Sequence, residues 1–306
     1  MHNMKFVYTH WSAPSKSDDT DGRFFNRNKI RYKYFYEMFL LSAVSVKKYF
    51  PNSTIIFNTD QDGIDFIKNT NIPVDECYNI FEGINFKNTN MWPLAKIYSM
   101  SLMKEPFVHL DYDVFFVNNP KIDFNKYDLI IQSLEIYNKL THIGKYYNSL
   151  FENISNKEFD ILLEYPSYTA FNAGFIYFNK IDFIKEWYNT VIEIYNKIYD
   201  EFDFGEAMLC EQHMLSYFSR KYELNVGQVV GLDTWYKNDF YVHILSDCKY
   251  NPNVIIDIIK YLEKNYPEYY KNTHDFDIIK EEQKHYSNLA LYIGHGLLKI
   301  GELENA

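Results

Sequence analysis

The stretch from Phe107 to Asn119, FVHLDYDVFFVNN, constrains the fold more than any other. An apolar run leads into two aspartates spaced by one residue, and a second apolar run leads away. The flanks read as a buried strand. Side chains alternate along a strand, so Asp111 and Asp113 are expected on one face and Tyr112 on the other. Ionised carboxylates inside an apolar run are costly unless paired or metal-bound. Two of them on one face at a strand's end suit a hard cation, Mn²⁺ or Mg²⁺, whose oxygen ligands are shared between protein and phosphate. The plain alternative is a strand end with two solvated aspartates. The same spacing recurs at Asp19/Asp21, Asp60/Asp62 and Asp275/Asp277 without such flanks, so context and not spacing singles out Asp111/Asp113.

A chain of 306 residues with 47% hydrophobic content can bury a sizeable core, and one domain is expected. The formal net charge is −10 and no block of Lys and Arg tracks a phosphate backbone, which argues against a nucleic-acid partner. An acidic protein that binds an anionic nucleotide needs a cation between the two. Cys77, Cys210 and Cys248 are scattered with no CxxC spacing, which fits packing roles in a reducing compartment. The opening MHNMKFVYTHWS has too short an apolar run for a signal peptide, and no window approaches a membrane span. A soluble, cytoplasmic protein is therefore expected, with peripheral membrane contact left open.

Taken in order, Met4–Thr9 reads as a first strand, followed by a polar loop over 15–23 and a helix from about Arg31 to Tyr49 that Pro51 stops. Thr54–Asn58 is a second strand, with Thr59 to Gly63 a solvated polar turn, and Ile72–Phe81 is weakly strand-like. Trp92–Met103 reads as a helix with Pro93 in its first turn. Asp128–Gln132 is another strand, and 137–165 a variable, partly helical segment. Ala170–Asn179 is a strand interrupted at Asn172-Ala173-Gly174, where glycine suggests close backbone approach or a β-bulge. Asp182–Tyr199 is the clearest helix, capped by Asp182, its Phe183, Trp187, Val191, Ile194 and Ile198 forming a core stripe. Glu206–Tyr222 is a helix. Val226–Gly231 and Phe240–Leu245 close the sheet, and helices over Pro252–Asn265 and about Phe276–Lys299 pack behind it. Strands alternating with helices argue an α/β sheet covered on both faces. Neither GxGxxG nor GxxxxGK[ST] is present, which disfavours dinucleotide enzymes and P-loop phosphotransferases.

His243 closes the run FYVHIL, and Lys249 follows six residues later. A neutral imidazole can complete a carboxylate metal site, and a nearby ammonium can meet a phosphate. With these in view the sequence resembles the GT-A glycosyltransferases, in particular glycosyltransferase family 8, the group of glycogenin and the bacterial lipopolysaccharide galactosyltransferases. That family has a strand ending in Asp-x-Asp, an Asn-Ala-Gly segment, an acidic-Gln pair on the next helix and a terminal His-x-x-Gly-x-x-Lys. Here these stand in order as Asp111-Tyr112-Asp113, Asn172-Ala173-Gly174, Glu211-Gln212 and His243 to Lys249. Ser246 replaces the family's glycine, His213 its usual aspartate, and Asn251-Pro252 its Pro-Trp, departures that suggest a divergent bacterial member.

The resemblance implies a GT-A domain over 1–252 with a mixed sheet flanked by helices, and a helical extension over 253–306. It implies that Asp111, Asp113 and His243 bind Mn²⁺ or Mg²⁺, with Asp111 and Lys249 at the diphosphate of a nucleotide sugar, most readily a UDP-sugar. Gln212 would lie near the anomeric carbon, Glu211 and Asn172 would line the sugar pocket, and transfer would retain configuration. By position, Thr9, His10 and Lys96 are nucleotide contacts, a solvated helix face being the equal alternative for Lys96. The acceptor would be a glycan, lipid-linked saccharide or protein. Two rivals stand beside this: a non-catalytic scaffold with the same fold, and a haloacid-dehalogenase-type phosphotransferase, which Phe115 and the mid-chain position of the aspartates disfavour. Donor sugar, acceptor and oligomeric state have no motif to carry them.

Overall fold

The computed structural model describes residues 4–13, 34–84, 86, 92–136, 169–198, 207–231, 239–244, 249 and 251–282. The expected loop over 15–23 and segment over 137–165 lie outside these residues. Strand β1 (Lys5–Thr9) is followed by helix α1 (Phe35–Tyr49), β2 (Thr54–Thr59), α2 (Gln61–Lys68) and β3 (Glu76–Asn79). Next come α3 (Trp92–Ser101), β4 (Phe107–Leu110), β5 (Val114–Phe116), β6 (Leu129–Ile131), β7 (Leu134–Ile136), β8 (Thr169–Phe171) and β9 (Phe175–Phe178). Helix α4 (Ile184–Ile198) leads to a π-helical turn (Leu209–His213) that runs into α5 (Met214–Lys221), then β10 (Val226–Gln228), β11 (Tyr241–His243), α6 (Pro252–Asn265) and α7 (Phe276–Glu282).

Among the described residues seven strands form one mixed sheet in the order β10-β6-β9-β4-β1-β2-β3. Strand β1 is parallel to both β2 and β4, whereas β9 runs antiparallel to both β4 and β6. Alternation along each strand divides the core between two layers. Phe6, Tyr8, Val108 and Leu110 face α1 and α6, while Val7, Phe107 and Ile176 face α3 and α4. The sheet is therefore apolar on both faces, as the near-continuous hydrophobic strands require. The stripe along α4 is core as expected: Trp187 and Val191 are fully buried, and Phe183, just ahead of the helix, nearly so. No helix among the described residues is long and apolar enough to cross a membrane.

Four local readings change. Asp111, Tyr112 and Asp113 do not continue a strand; they form the turn between β4 and β5, closed by Val114 N–H donating to the Asp111 carbonyl at 3.1 Å. The two carboxylates thus meet through a turn and not through strand alternation. Strand β11 does not close the main sheet either, but pairs antiparallel with β5, Val114 opposite His243. Asp60 lies in no solvated turn: it is the N-cap of α2, accepting from Gly63 N–H at 3.2 Å, from Ser12 N–H at 2.8 Å and from the Ser12 hydroxyl at 2.6 Å. Helix α4 starts at Ile184, with Asp182 in the turn ahead of it, two positions before the helix and hence no N-cap.

Candidate active site

Parallel strands end on the same edge, and ligands of open α/β sheets bind there. Thr9 ends β1, Thr59 ends β2, and Asp111 follows β4, so the acidic turn stands on the carboxyl edge. The β5–β11 pairing carries His243 to the same place. One ligand atom from each of Asp111, Asp113 and His243 lies within 4.8 Å of the others, as a metal ion's ligands do. His243 Nε2 is 3.5 Å from Asp113 Oδ1. Lys249 forms an ion pair with Asp113 Oδ2, and its ammonium stands 5.5 Å from the centre of the Tyr112 ring.

Asp113 is 1% exposed. Burial alone would raise its pKa, but the Lys249 ammonium holds the carboxyl well below its usual range. Beyond the Lys249 ammonium, neither of its oxygens has a hydrogen-bond donor of ordinary geometry among the described residues. Buried carboxylate oxygens with open acceptor capacity, a second carboxylate and an imidazole nitrogen make a donor set that fits a divalent cation with oxygen preference.

Asp111 faces a second lysine. Lys96 on α3 is 5% exposed, and its ammonium reaches Asp111 Oδ1 at 2.7 Å, Glu211 Oε1 at 2.7 Å and the Ala173 carbonyl at 2.8 Å. Burial works against its charge, yet Asp111 and Glu211 outweigh it and keep the lysine protonated above its ordinary value. The solvated helix face is thereby ruled out for Lys96. Glu211 goes the other way: burial pushes its carboxyl up, Lys96 only partly opposing and Asp111 adding to the push. Glu211 and Gln212 ride on the π-helical turn, both buried. Extra-wide turns of this kind recur at functional sites because they re-aim side chains from a regular helix.

Asn172, between β8 and β9, donates from Nδ2 to Glu135 Oε1 at 2.9 Å, while its Oδ1 accepts from Gly174 N–H at 3.1 Å. The glycine carries out the expected close approach: a Cβ there would lie 2.4 Å from Gln132 Oε1 and 2.5 Å from His243 Cε1. Thr9 is taken into a network below the edge, donating to Ser99 Oγ at 2.7 Å, where Asn58 Nδ2 also donates, and meeting His109 Nε2 at 3.0 Å. His10 is packed between Phe35 and Phe57, with ring centroids 4.8 and 6.2 Å away. Burial lowers its pKa to about 4 against the pull of Asp60 and Asp62, so it is neutral.

The structure thus brings together Asp111, Asp113, His243 and Lys249 on one side and Lys96, Glu211 and Asn172 on the other, Asp111 and Ala173 joining the two. Thr9 and His10 lie along the same edge at the end of β1. Sequence reasoning did not single out Gln132, Glu135, Ser99, His109 or Tyr241. Gln132 carried a faint signal, a polar residue directly after the apolar Leu129-Ile130-Ile131, where it is wholly buried.

Fold and site define a mixed α/β protein with a carboxylate–imidazole cluster, able to hold a metal ion, at the carboxyl edge of its sheet. The chain belongs to a family of unknown function, DUF6734, whose model matches residues 4–276. No curated protein matches it. Similar solved structures include the galactosyltransferase LgtC in complex with donor and acceptor sugar analogues, at 13% identity over 74% of this chain and 73% of that one, TM-score 0.37. Mouse xyloside xylosyltransferase 1 is 8% identical over 74% of this chain and 85% of its own, TM-score 0.40. The glycosyltransferase GlyE of Streptococcus pneumoniae TIGR4 is 10% identical over 99% of this chain, TM-score 0.36, and the chain spans 63% of it.

Proposed function

We propose that the protein is a metal-dependent GT-A glycosyltransferase resembling family 8, moving a sugar from a nucleotide donor, UDP-linked in our reading, to a glycan, lipid-linked saccharide or protein acceptor. The observation that carries this reading is the convergence of Asp111, Asp113 and His243 within 4.8 Å, drawn from distant parts of the chain and flanked by Lys249. A divalent cation held by these three residues, Mn²⁺ or Mg²⁺, would neutralise charge that gathers on a departing diphosphate. The ordered motifs add support, since Glu211-Gln212 and Asn172-Ala173-Gly174 border the same site.

The residues divide the work as follows. Lys249 leaves Asp113 for the diphosphate and offers its ammonium to the oxygens that gain charge. As the bond between the anomeric carbon and the phosphate oxygen breaks, Gln212 and Glu211 stabilise the cationic sugar, and Lys96 fixes the orientation of Glu211 and Asp111. The acceptor hydroxyl then bonds to the anomeric carbon and passes its proton to the leaving phosphate, with retention of configuration. Asn172 orders the sugar pocket, and Thr9 and His10 border the nucleoside. Residues 1–252 form the catalytic unit with 253–306 as a helical extension, and the protein works in the cytoplasm.

The test is calorimetric and thermal-shift titration of UDP, GDP and CDP with and without Mn²⁺, followed by hydrolysis of a panel of UDP-sugars. UDP binding that requires Mn²⁺ and is lost in Asp113→Ala is the expected result. Failure of every nucleotide to bind with any divalent metal would overturn the reading and favour a scaffold.

A further inference from the structure

Gln132 stands immediately after β6 and is 0% exposed. Its Oε1 meets two groups, His243 Nδ1 at 2.7 Å and the Tyr241 hydroxyl at 2.6 Å. Tyr241 and His243 are two residues apart on β11, so the pleat turns both toward the amide. A carbonyl oxygen only accepts hydrogen bonds, so Nδ1 carries a proton, and in the neutral imidazole it is the only one. Nε2 is then left with its lone pair, 3.5 Å from Asp113 Oδ1. A lone pair and a carboxylate oxygen facing each other across that gap, with no proton between them, are arranged for a shared cation.

Backbone geometry supports the same contact. Gly174 lets the amide oxygen and the imidazole lie against its Cα, where any Cβ would come within 2.4 Å of one and 2.5 Å of the other. Its carbonyl also accepts from Asp111 N–H at 2.9 Å, so one residue registers the acidic turn and the histidine together. The glycine of Asn172-Ala173-Gly174 is thus required by the Gln132–His243 pair.

We infer that Gln132 is a positioning residue, held by Tyr241, that fixes the tautomer and ring orientation of His243 so that Nε2 faces Asp113 and a divalent cation. The inference rests on the metal-site reading proposed above for its consequence, and on the hydrogen-bond geometry alone for the tautomer. Partners of this kind change metal affinity by about 10–100-fold when removed. A reversed amide would present its NH₂ to both groups and force the proton onto Nε2, so the tautomer is the direct readout.

The experiment is imidazole ¹⁵N NMR of the metal-free, full-length protein above pH 8, with His243 identified from the spectrum of His243→Asn. The expected signal is the Nδ1–H form in the wild type and a mixture in Gln132→Leu. Gln132→Glu, whose carboxylate accepts the same two hydrogen bonds, restores the Nδ1–H form. Calorimetry with Mn²⁺ alone then gives a constant about 10–100-fold weaker for Gln132→Leu and near wild type for Gln132→Glu. Tyr241→Phe, which removes only a hydroxyl, shows a smaller loss and serves if Gln132→Leu does not fold. An Nε2–H tautomer in the wild type overturns the inference, as does unchanged Mn²⁺ affinity in a folded Gln132→Leu. A wild type that shows the Nδ1–H form but binds no Mn²⁺ upholds the positioning by Gln132 and overturns the metal-site reading.

Discussion

Lys96 holds two carboxylates and a carbonyl with a single buried ammonium, so its removal strands negative charge in the interior. Breaking such a pair from one side costs about 3–5 kcal/mol. Lys96→Met therefore lowers the unfolding free energy by roughly 3 kcal/mol in urea titration, and Glu211→Gln added to it recovers part of the loss. Equal losses in the single and double variants would contradict that coupling. A pH effect follows from two other side chains. Burial, aided by Arg220, brings the pKa of His213 to about 4 against a backbone contact with Thr169, and burial does the same for His10. The unfolded chain takes up these protons near pH 6.5 and the folded chain only near 4. The stability they represent is complete above about pH 6.5 and is lost as pH falls through 4. By pH 5 each group has cost about 1–2 kcal/mol, and the difference between melts at pH 7.5 and 5.0 shrinks in His213→Asn. A pH response identical to the wild type would refute it. Asp111 and Asp113 were legible because spaced carboxylates interrupt an apolar run, and His243 and Lys249 because a histidine closing another such run is followed six residues later by a lysine. Gln132 was not, because a lone amide after a strand gains meaning only from partners more than a hundred residues away.

Among the elements, α2 was the least legible from sequence. Its first turn is polar and its length is only eight residues, so periodicity had little to work on and Thr59 to Gly63 passed for a turn. What makes it a helix is its cap. Asp60 satisfies Gly63 N–H and also both donors of Ser12, tying α2 to the chain beyond β1. Asp60→Ala should lower stability by about 1–2 kcal/mol, whereas Asp65→Ala, whose carboxylate meets Lys68 in solvent, changes it by less than about 0.5 kcal/mol. Chemical denaturation of the two variants checks this, and equal losses would refute the anchoring role. The acidic turn shows a different limit of pattern reading. The apolar runs on either side of Asp111 and Asp113 were taken as one strand, but they belong to separate sheets, and only strand pairing distinguishes the two cases.

At the level of the molecule, the α/β class and the covered sheet followed from the succession of strands and helices, because burial on both faces leaves a continuous apolar signature. The strand order did not, since β9 inserts itself antiparallel between β4 and β6 and nothing in its own residues announces that. Helix α6 belongs to the core: Val254, Ile255, Ile258, Ile259 and Leu262 are all fully buried, in the same layer as α1 and β1. Helix α6 is therefore part of the folding unit. A chain ended ahead of Pro252 loses its cooperative thermal transition, and a truncated protein that melts as sharply as the full chain would contradict this.

The pairing of β5 with β11 sets a schedule for synthesis. Asp113 and the two residues that meet it, His243 and the compensating Lys249, are 130 or more positions apart. At the ribosome's rate of roughly 5–20 residues per second, on the order of ten seconds separate their appearance. Through that interval a buried Asp113 would be an unmatched charge, so the acidic turn stays wet until about the last fifth of the chain arrives. The site is assembled late, and its carboxylates cannot guide the early folding of the chain.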